Sequence, residues 1–367
     1  MLSENTYFHL LRFALGIDEH FDGEMLAPDD WKAIYQLSER QALLGVVFDG
    51  VKRLQGNNVP PFSLLMQWTV VAEKICGINQ KFYAECERLT RFFEEHGRKS
   101  AILKGQANSL LYPNVYSRNP GDIDIYVDGG KKSVVKLLKD MGLVSQKELD
   151  IAAYHHVGLD QTQSDIEVEV HYRPSGGFFN PFCNKRLQKF LVEEAKNSTM
   201  TEQGFYVPTI KFALAMQLAH ILYHFIEEGV GLRQITDYYF LLKHSSEDDR
   251  ETIAGMLDGF GVKRFTSALM SVLKDIYHLD ESLMLCVPDE KKGKILFDEI
   301  IGGGNFGKYR ANRPQGSIAR TLEGKFRQWN HRASLYPREV HWSMINAIGQ
   351  FFAKLPYRIK YKQFSFR

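Results

Sequence analysis

The chain has 367 residues, of which 44% are apolar, 13% aromatic and 25% charged, with a formal net charge of +2. That profile belongs to globular proteins and excludes collagen-like, disordered and disulfide-stapled classes, and the length predicts two or three packed units. No run approaches the roughly 18 uninterrupted apolar residues of a membrane span, the N-terminal MLSENTYFHLLRF lacks the basic start of a signal peptide, and Cys76, Cys86, Cys183 and Cys286 form no CxxC pair, so a cytoplasmic protein with no transmembrane segment is expected.

Residues 1–97 read as an N-terminal helical region. PDDWKAIYQLSERQALLGVVFDGVKRL repeats apolar residues at spacings of three and four, with Asp29 and Asp30 near a helix start. After Pro60 and Pro61 a second pattern runs through Trp68, Ile75, Phe82, Cys86, Leu89 and Phe93 to a stop at Gly97, which predicts one long helix. Residues 98–200 change texture. SAILKG reads as a short strand, QANSLLYP as a helical turn or two, GDIDIYVD as a strand of period two, and KKSVVKLLKDMG as an amphipathic helix closed by Gly142. AAYHHVGLD and DIEVEVHY read as two further strands with Gln163 and Ser164 in the turn between them. Residues 201–367 return to helical periodicity, with breaks at IGGGNFGKYRANRPQG and at Tyr336-Pro337. The predicted fold class is therefore α+β: a small mixed sheet flanked by N-terminal helices and a C-terminal helical bundle. Charge is unevenly spread. Residues 291–367 hold sixteen Lys and Arg against four Asp and Glu, leaving thirty against forty upstream. Such a basic segment either docks on the acidic body or meets an external anionic partner, nucleic acid among them.

The chemistry-bearing residues lie in the middle region. Residues two apart on a strand share a face, so GDIDI presents the carboxylates of Asp122 and Asp124 side by side. Like charges this close are costly unless a cation neutralises them. In DIEVEVHY, Glu167 and Glu169 also share a face, and either could supply a third carboxylate. Three hard oxygen donors suit Mg²⁺ or Mn²⁺, which keep waters and accept substrate phosphates. A solvated strand face would show the same alternation of acids. Upstream, the turn at Lys104-Gly105 between strand and helix offers backbone that can approach a phosphate, and Lys104 is either a phosphate contact or a solvated amine at a strand end.

LKGQANSLLYPNVYSRNPGDIDIYVD followed by IEVEVHYRP resembles the polymerase-β-type nucleotidyltransferase superfamily, and within it a poorly characterised bacterial branch with the pattern LKG…LYP…R…DIDI…V. The resemblance is strong over roughly residues 98–173. The later stretch HILYHFIEEGVGLRQITDYYFLL is similar to the helical region that succeeds the acidic strands in that branch. The resemblance implies a small mixed sheet, metal ligation by Asp122 and Asp124 with Glu169 as third acid, and transfer of a nucleoside monophosphate from an NTP to a hydroxyl of a small molecule or protein. It further implies Gly105 as the phosphate-approaching glycine and Arg118 as an anion contact. Two departures stand out. Gly105 is followed by Gln106 where the superfamily commonly has Ser, and Glu169 occupies the place of an Asp. The longer side chain displaces the carboxylate by roughly 1.5 Å, so the alternative expectation is a catalytically weak or inactive nucleotidyltransferase fold that acts as a binding module.

Further polar residues fit around this constellation. His171 shares a face with Glu169 and can orient that carboxylate or a substrate. His220 and His224, four apart on a helix, have metal-ligand spacing but no flanking Glu, and a polar seam beside the transferase unit is the expectation. Arg233 is either a triphosphate contact or the partner of Asp237 in a helical ion pair. His155 and His156 alternate across a strand, which predicts a surface role. The run from Gly307 to Trp342 interleaves basic and aromatic residues as nucleic-acid and membrane-surface binders do, without a recognition fingerprint for either.

Overall fold

The computed structural model describes residues 4–22, 25–56, 58–160, 165–309, 329, 332–333 and 336–360. The architecture is α+β, with helices around a four-stranded mixed sheet and a separate two-stranded one. The N-terminal helices are α1 (Glu4–Ala14), α2 (Pro28–Arg40), α3 (Leu44–Val51) and α4 (Phe62–Glu95). The last is the long helix the periodicity predicts. Gly97, at φ +67°, ends it by letting the Arg98 N–H reach the Phe93 carbonyl, 2.8 Å away.

The main sheet is built from β1 (Ser100–Ile102), β2 (Ile123–Val127), β3 (His156–Gly158) and β4 (Val168–His171), in the order β1-β2-β4-β3. β2 runs antiparallel to β1 and parallel to β4, and β3 is antiparallel to β4. Between strands lie α5 (Gln106–Ser109), α6 (Gly130–Asp140) and α7 (Gln146–Ile151). Two sequence expectations shift here. The β2 strand begins at Ile123, so Asp122 stands just before it. AAYHHVGLD is not one strand: Ser145 and Glu148 close a capping box that starts α7, and only His156–Gly158 pair. The predicted turn at Gln163 and Ser164 lies outside the described residues.

Alternation along the strands divides the sheet. Ile123, Ile125, Val127, Val168 and Val170 are buried against Phe82, Cys86, Leu89 and Phe93 of α4 and against Val134 and Leu138 of α6. The positions between them put Asp124, Glu169 and His171 on the opposite face. After β4 come α8 (Pro181–Glu194), the hairpin of β5 (Thr199–Met200) and β6 (Tyr206–Val207), and helices α9 (Ile210–Glu227), α10 (Leu232–Lys243), α11 (Glu247–Phe260), α12 (Lys263–Tyr277), α13 (Glu290–Gly303) and α14 (Pro337–Lys360). The helices α8–α14 share one apolar core with α1–α3. The two ends of the chain are joined by Arg12 donating to the Ile276 carbonyl and by Gln41, which donates to Ile300 O and accepts from Leu232 N at the start of α10.

Most of the interleaved basic and aromatic run lies outside the described residues. Within it Trp329 and Tyr336 are buried and Arg332 donates to the Ile226 carbonyl, and nearer the C-terminus Lys360 pairs with Asp150 at 2.7 Å. Among the described residues no helix is long and apolar enough to cross a membrane.

Candidate active site

The polar face of the main sheet meets α5, α9 and α10 in a narrow cleft. Lys104, Gly105, Asn108, Asp122, His220 and Arg233 are among its lining residues. The parallel pairing of β2 and β4 sets Asp124 directly opposite Glu169. Of the two candidate third acids, Glu169 is thus the one beside Asp124. Its carboxylate, that of Asp124 and a His171 ring nitrogen lie within 4.8 Å of one another.

Lys104 leaves β1 and turns its ammonium onto the acids, 3.0 Å from Asp124 Oδ2 and 3.9 Å from Asp122 Oδ2. His171 Nε2 lies 3.0 Å from Asp124 Oδ1 and 3.5 Å from Glu169 Oε2, and His156 Nδ1 is 2.8 Å from the same Glu169 oxygen. These contacts decide the protonation states. Burial pushes the Asp124 carboxyl upward, but Lys104 and His171 outweigh it and hold the group well below the usual carboxylate range. Burial opposes Glu169 likewise, and its bonds to His156 and His171 hold it below that range. Asp122 goes the other way: the charge on Asp124 and its own burial raise it. Burial lowers Lys104, yet the three acids together raise it, so it stays an ammonium. His171 is raised, because Asp124 and Glu169 outweigh its burial.

The turn after β1 depends on glycine. Gly105 has φ +62° and ψ −105°, a conformation L side chains rarely adopt, and an added Cβ would lie 3.4 Å from the Asp122 carbonyl oxygen, in contact with it. Here the backbone of the first strand's exit passes directly beside the aspartate loop.

That loop, residues 118–122, is held from α10. Asp237 takes Arg118 bidentately, Nε to Oδ1 at 2.8 Å and Nη2 to Oδ2 at 2.7 Å, and the Tyr112 hydroxyl donates to Oδ1 at 2.8 Å. All three residues are buried. Arg233, one turn earlier on α10, donates to the carbonyl of Asn119 at 3.0 Å, and burial together with the Arg118 charge pulls its guanidinium down to about 10. The bidentate partner of Asp237 is therefore Arg118, which a reading of helical spacing alone does not anticipate. A second clamp joins Asn108 of α5 to Gln217 of α9 through reciprocal amide bonds of 3.0 and 2.6 Å.

Sequence reasoning did not reach the Asn108–Gln217 and Tyr112–Asp237 pairs. Their available signal was polar residues at core positions of apolar helical patterns. The histidines also differ from expectation. His155 and His156 are not surface residues on opposite strand faces: β3 starts only at His156, and both rings pack on His171 with centroids 5.1 Å away. His220 lines the cleft and contacts His224 edge-on; burial and then the Lys104 charge keep its pKa well below that of a free imidazole.

No curated protein was found to match the sequence. Residues 27–278 match the model of a family described as uncharacterised nucleotidyltransferase, a span that takes in the cleft, the sheet and the helices α9 and α10. The chain belongs to that nucleotidyltransferase family.

Proposed function

We propose that the protein transfers a nucleoside monophosphate from an NTP to a hydroxyl of a small molecule or a protein, with Mg²⁺ or Mn²⁺ held by Asp122, Asp124 and Glu169. The observation that carries this reading is the pair of carboxylates, Asp122 and Asp124, on one ammonium, with Glu169 of the adjacent strand set opposite Asp124. Asp124 Oδ2 is buried, faces that ammonium and has no well-aligned hydrogen bond. The donor set is all oxygen and anionic, which fits a small hard cation. When bound, the ion stabilises charge on the departing pyrophosphate and lowers the pKa of the attacking hydroxyl.

The chain's own residues supply positioning. His171 fixes the Asp124 and Glu169 carboxylates through its contacts with both. Lys104 moves from the acids to the triphosphate, whose charge then replaces theirs. The Gly105 turn brings backbone close to a phosphate, while Arg118 and Arg233 line the same cleft as further anion contacts. The acceptor oxygen attacks the α-phosphorus, the bond from that phosphorus to the bridging oxygen breaks, and the hydroxyl proton passes to a carboxylate of the trio. The four unpaired cysteines support a reducing, cytoplasmic setting.

The test is incubation of the full chain with each NTP, labelled at the α-phosphate, in Mg²⁺ or Mn²⁺. Pyrophosphate release with transfer of label to protein or small molecule is expected. Saturable NTP binding without any release would replace this reading with that of a binding module, and absence of both binding and release would end it.

A further inference from the structure

Beside the carboxylates stands a cluster that nucleotidyl transfer does not require. His155, His156 and His171 form a triangle of imidazoles, with ring centroids 4.4 Å apart for the first pair and 5.1 Å for each of the other two. One ring nitrogen from each lies within 4.8 Å of the others. The backbone holds this arrangement in place. The His155 carbonyl accepts from the N–H groups of Tyr172 and Arg173 at 3.0 and 3.2 Å, and the Tyr172 hydroxyl donates to the His156 carbonyl at 3.1 Å. Gly176 leaves room for the His155 ring, since a Cβ there would come within 3.0 Å of Cε1.

Two observations point from the triangle to a ligand. His171 is 4% exposed, and its Nδ1 is buried without a hydrogen-bond partner among the described residues. Glu169 Oε2, 2.8 Å from His156 Nδ1, places a negative charge beside the triangle, which favours a cation there. A purely structural cluster of rings would leave that buried nitrogen uncompensated, at a cost to folding.

We propose that His155, His156 and His171 form a nitrogen-rich cation site that takes a borderline transition-metal ion of the Zn²⁺ type. Three imidazoles, with water in the fourth position, are a donor set that Zn²⁺ accepts and Mg²⁺ does not favour. Bonds of about 2.0–2.1 Å ask the rings to close by on the order of 1 Å, within reach of ring rotation for His155 and His156, which are only half-buried. The polar side of the sheet then has two adjoining cation seats of different hardness, and the histidine seat stands whether or not the protein transfers nucleotides.

Calorimetric titration of the untagged full chain with Zn²⁺ tests the site, with Co²⁺ as a spectroscopic probe. One equivalent of Zn²⁺ is expected, weakened about tenfold or more by His155→Gln and by His156→Gln. Asp122→Asn, which touches only the oxygen seat, should change the Zn²⁺ affinity by less than about threefold, by the reasoning that it removes no zinc ligand. Zn²⁺ affinity indifferent to the histidine changes, or lost equally with Asp122→Asn, overturns the proposal. Should the histidine variants fail to fold, the wild-type Co²⁺ adduct still decides. Intense visible bands of a four-coordinate nitrogen site support the proposal; the faint spectrum of a six-coordinate oxygen site, or no binding, refutes it.

Discussion

The ammonium of Lys104 lies 3.0 Å from Asp124 and 3.9 Å from Asp122, so one cation serves two carboxylates of unequal burial. Asp124 is 1% exposed and Asp122 36%. Replacing either acid by Asn should lower turnover by at least about 10²-fold, roughly 2.7 kcal/mol of barrier. Stability should separate the two. Asp124→Asn strips the half-buried ammonium and the buried His171 of their counter-charge and should cost about 3 kcal/mol. Asp122→Asn removes the like-charge repulsion that raises Asp122 and should leave the melting temperature unchanged or higher. Thermal melts of both variants without added metal check the contrast, and equal losses would argue against it.

Gly105 sets how the first strand delivers Lys104 to the acids. Gly105→Ala forces a side chain into φ +62°, ψ −105°, which costs about 1–3 kcal/mol. The added methyl also meets the Asp122 carbonyl. A lowered melting temperature together with weaker NTP binding is expected. An unchanged melt would mean that the turn relaxes to another conformation.

The Arg118–Asp237 pair anchors the aspartate loop to α10. Asp237→Ala leaves Arg118 buried and unpaired and removes the acceptor of the Tyr112 hydroxyl, with an expected loss of about 3–5 kcal/mol. Burial works against the Asp237 carboxylate, but Arg118 outweighs it and holds its pKa below the usual value. Its contribution is therefore present above the unfolded value of about 3.9 and is lost as the pH falls through the lower folded value. Chemical denaturation across acid pH, wild type against variant, should show the difference narrowing toward low pH.

His220 gives a second pH dependence, in a different window. Folded, it stays neutral well below its usual range, because burial and then Lys104 oppose a positive charge. Unfolded, it takes up a proton near pH 6.5, so its neutrality costs stability increasingly as the pH drops below about 6.5. His220→Asn should flatten the fall in melting temperature between about pH 7 and 5.5 relative to wild type. An identical slope in the two proteins would assign the dependence to other groups.

What the sequence determined by itself was local. Periods of two and of three to four marked the long helix α4, the strands β1, β2 and β4 and the helices α9 and α10, because burial of one face is written into residue spacing. The same period of two brought out Asp122, Asp124 and Glu169 as carboxylates able to share a face. The parallel register that sets Asp124 against Glu169 was not in the spacing, since neighbouring strands can slide by two residues and keep the same faces. That register is why Glu169, and not Glu167, stands beside Asp124. The partners drawn from distant segments were equally out of reach: Lys104 for the acids, Arg118 for Asp237, Asn108 for Gln217 and the two histidines packed on His171. Each is a polar group that burial obliges to find a complement, and which complement it finds is fixed only when the helices close over the sheet.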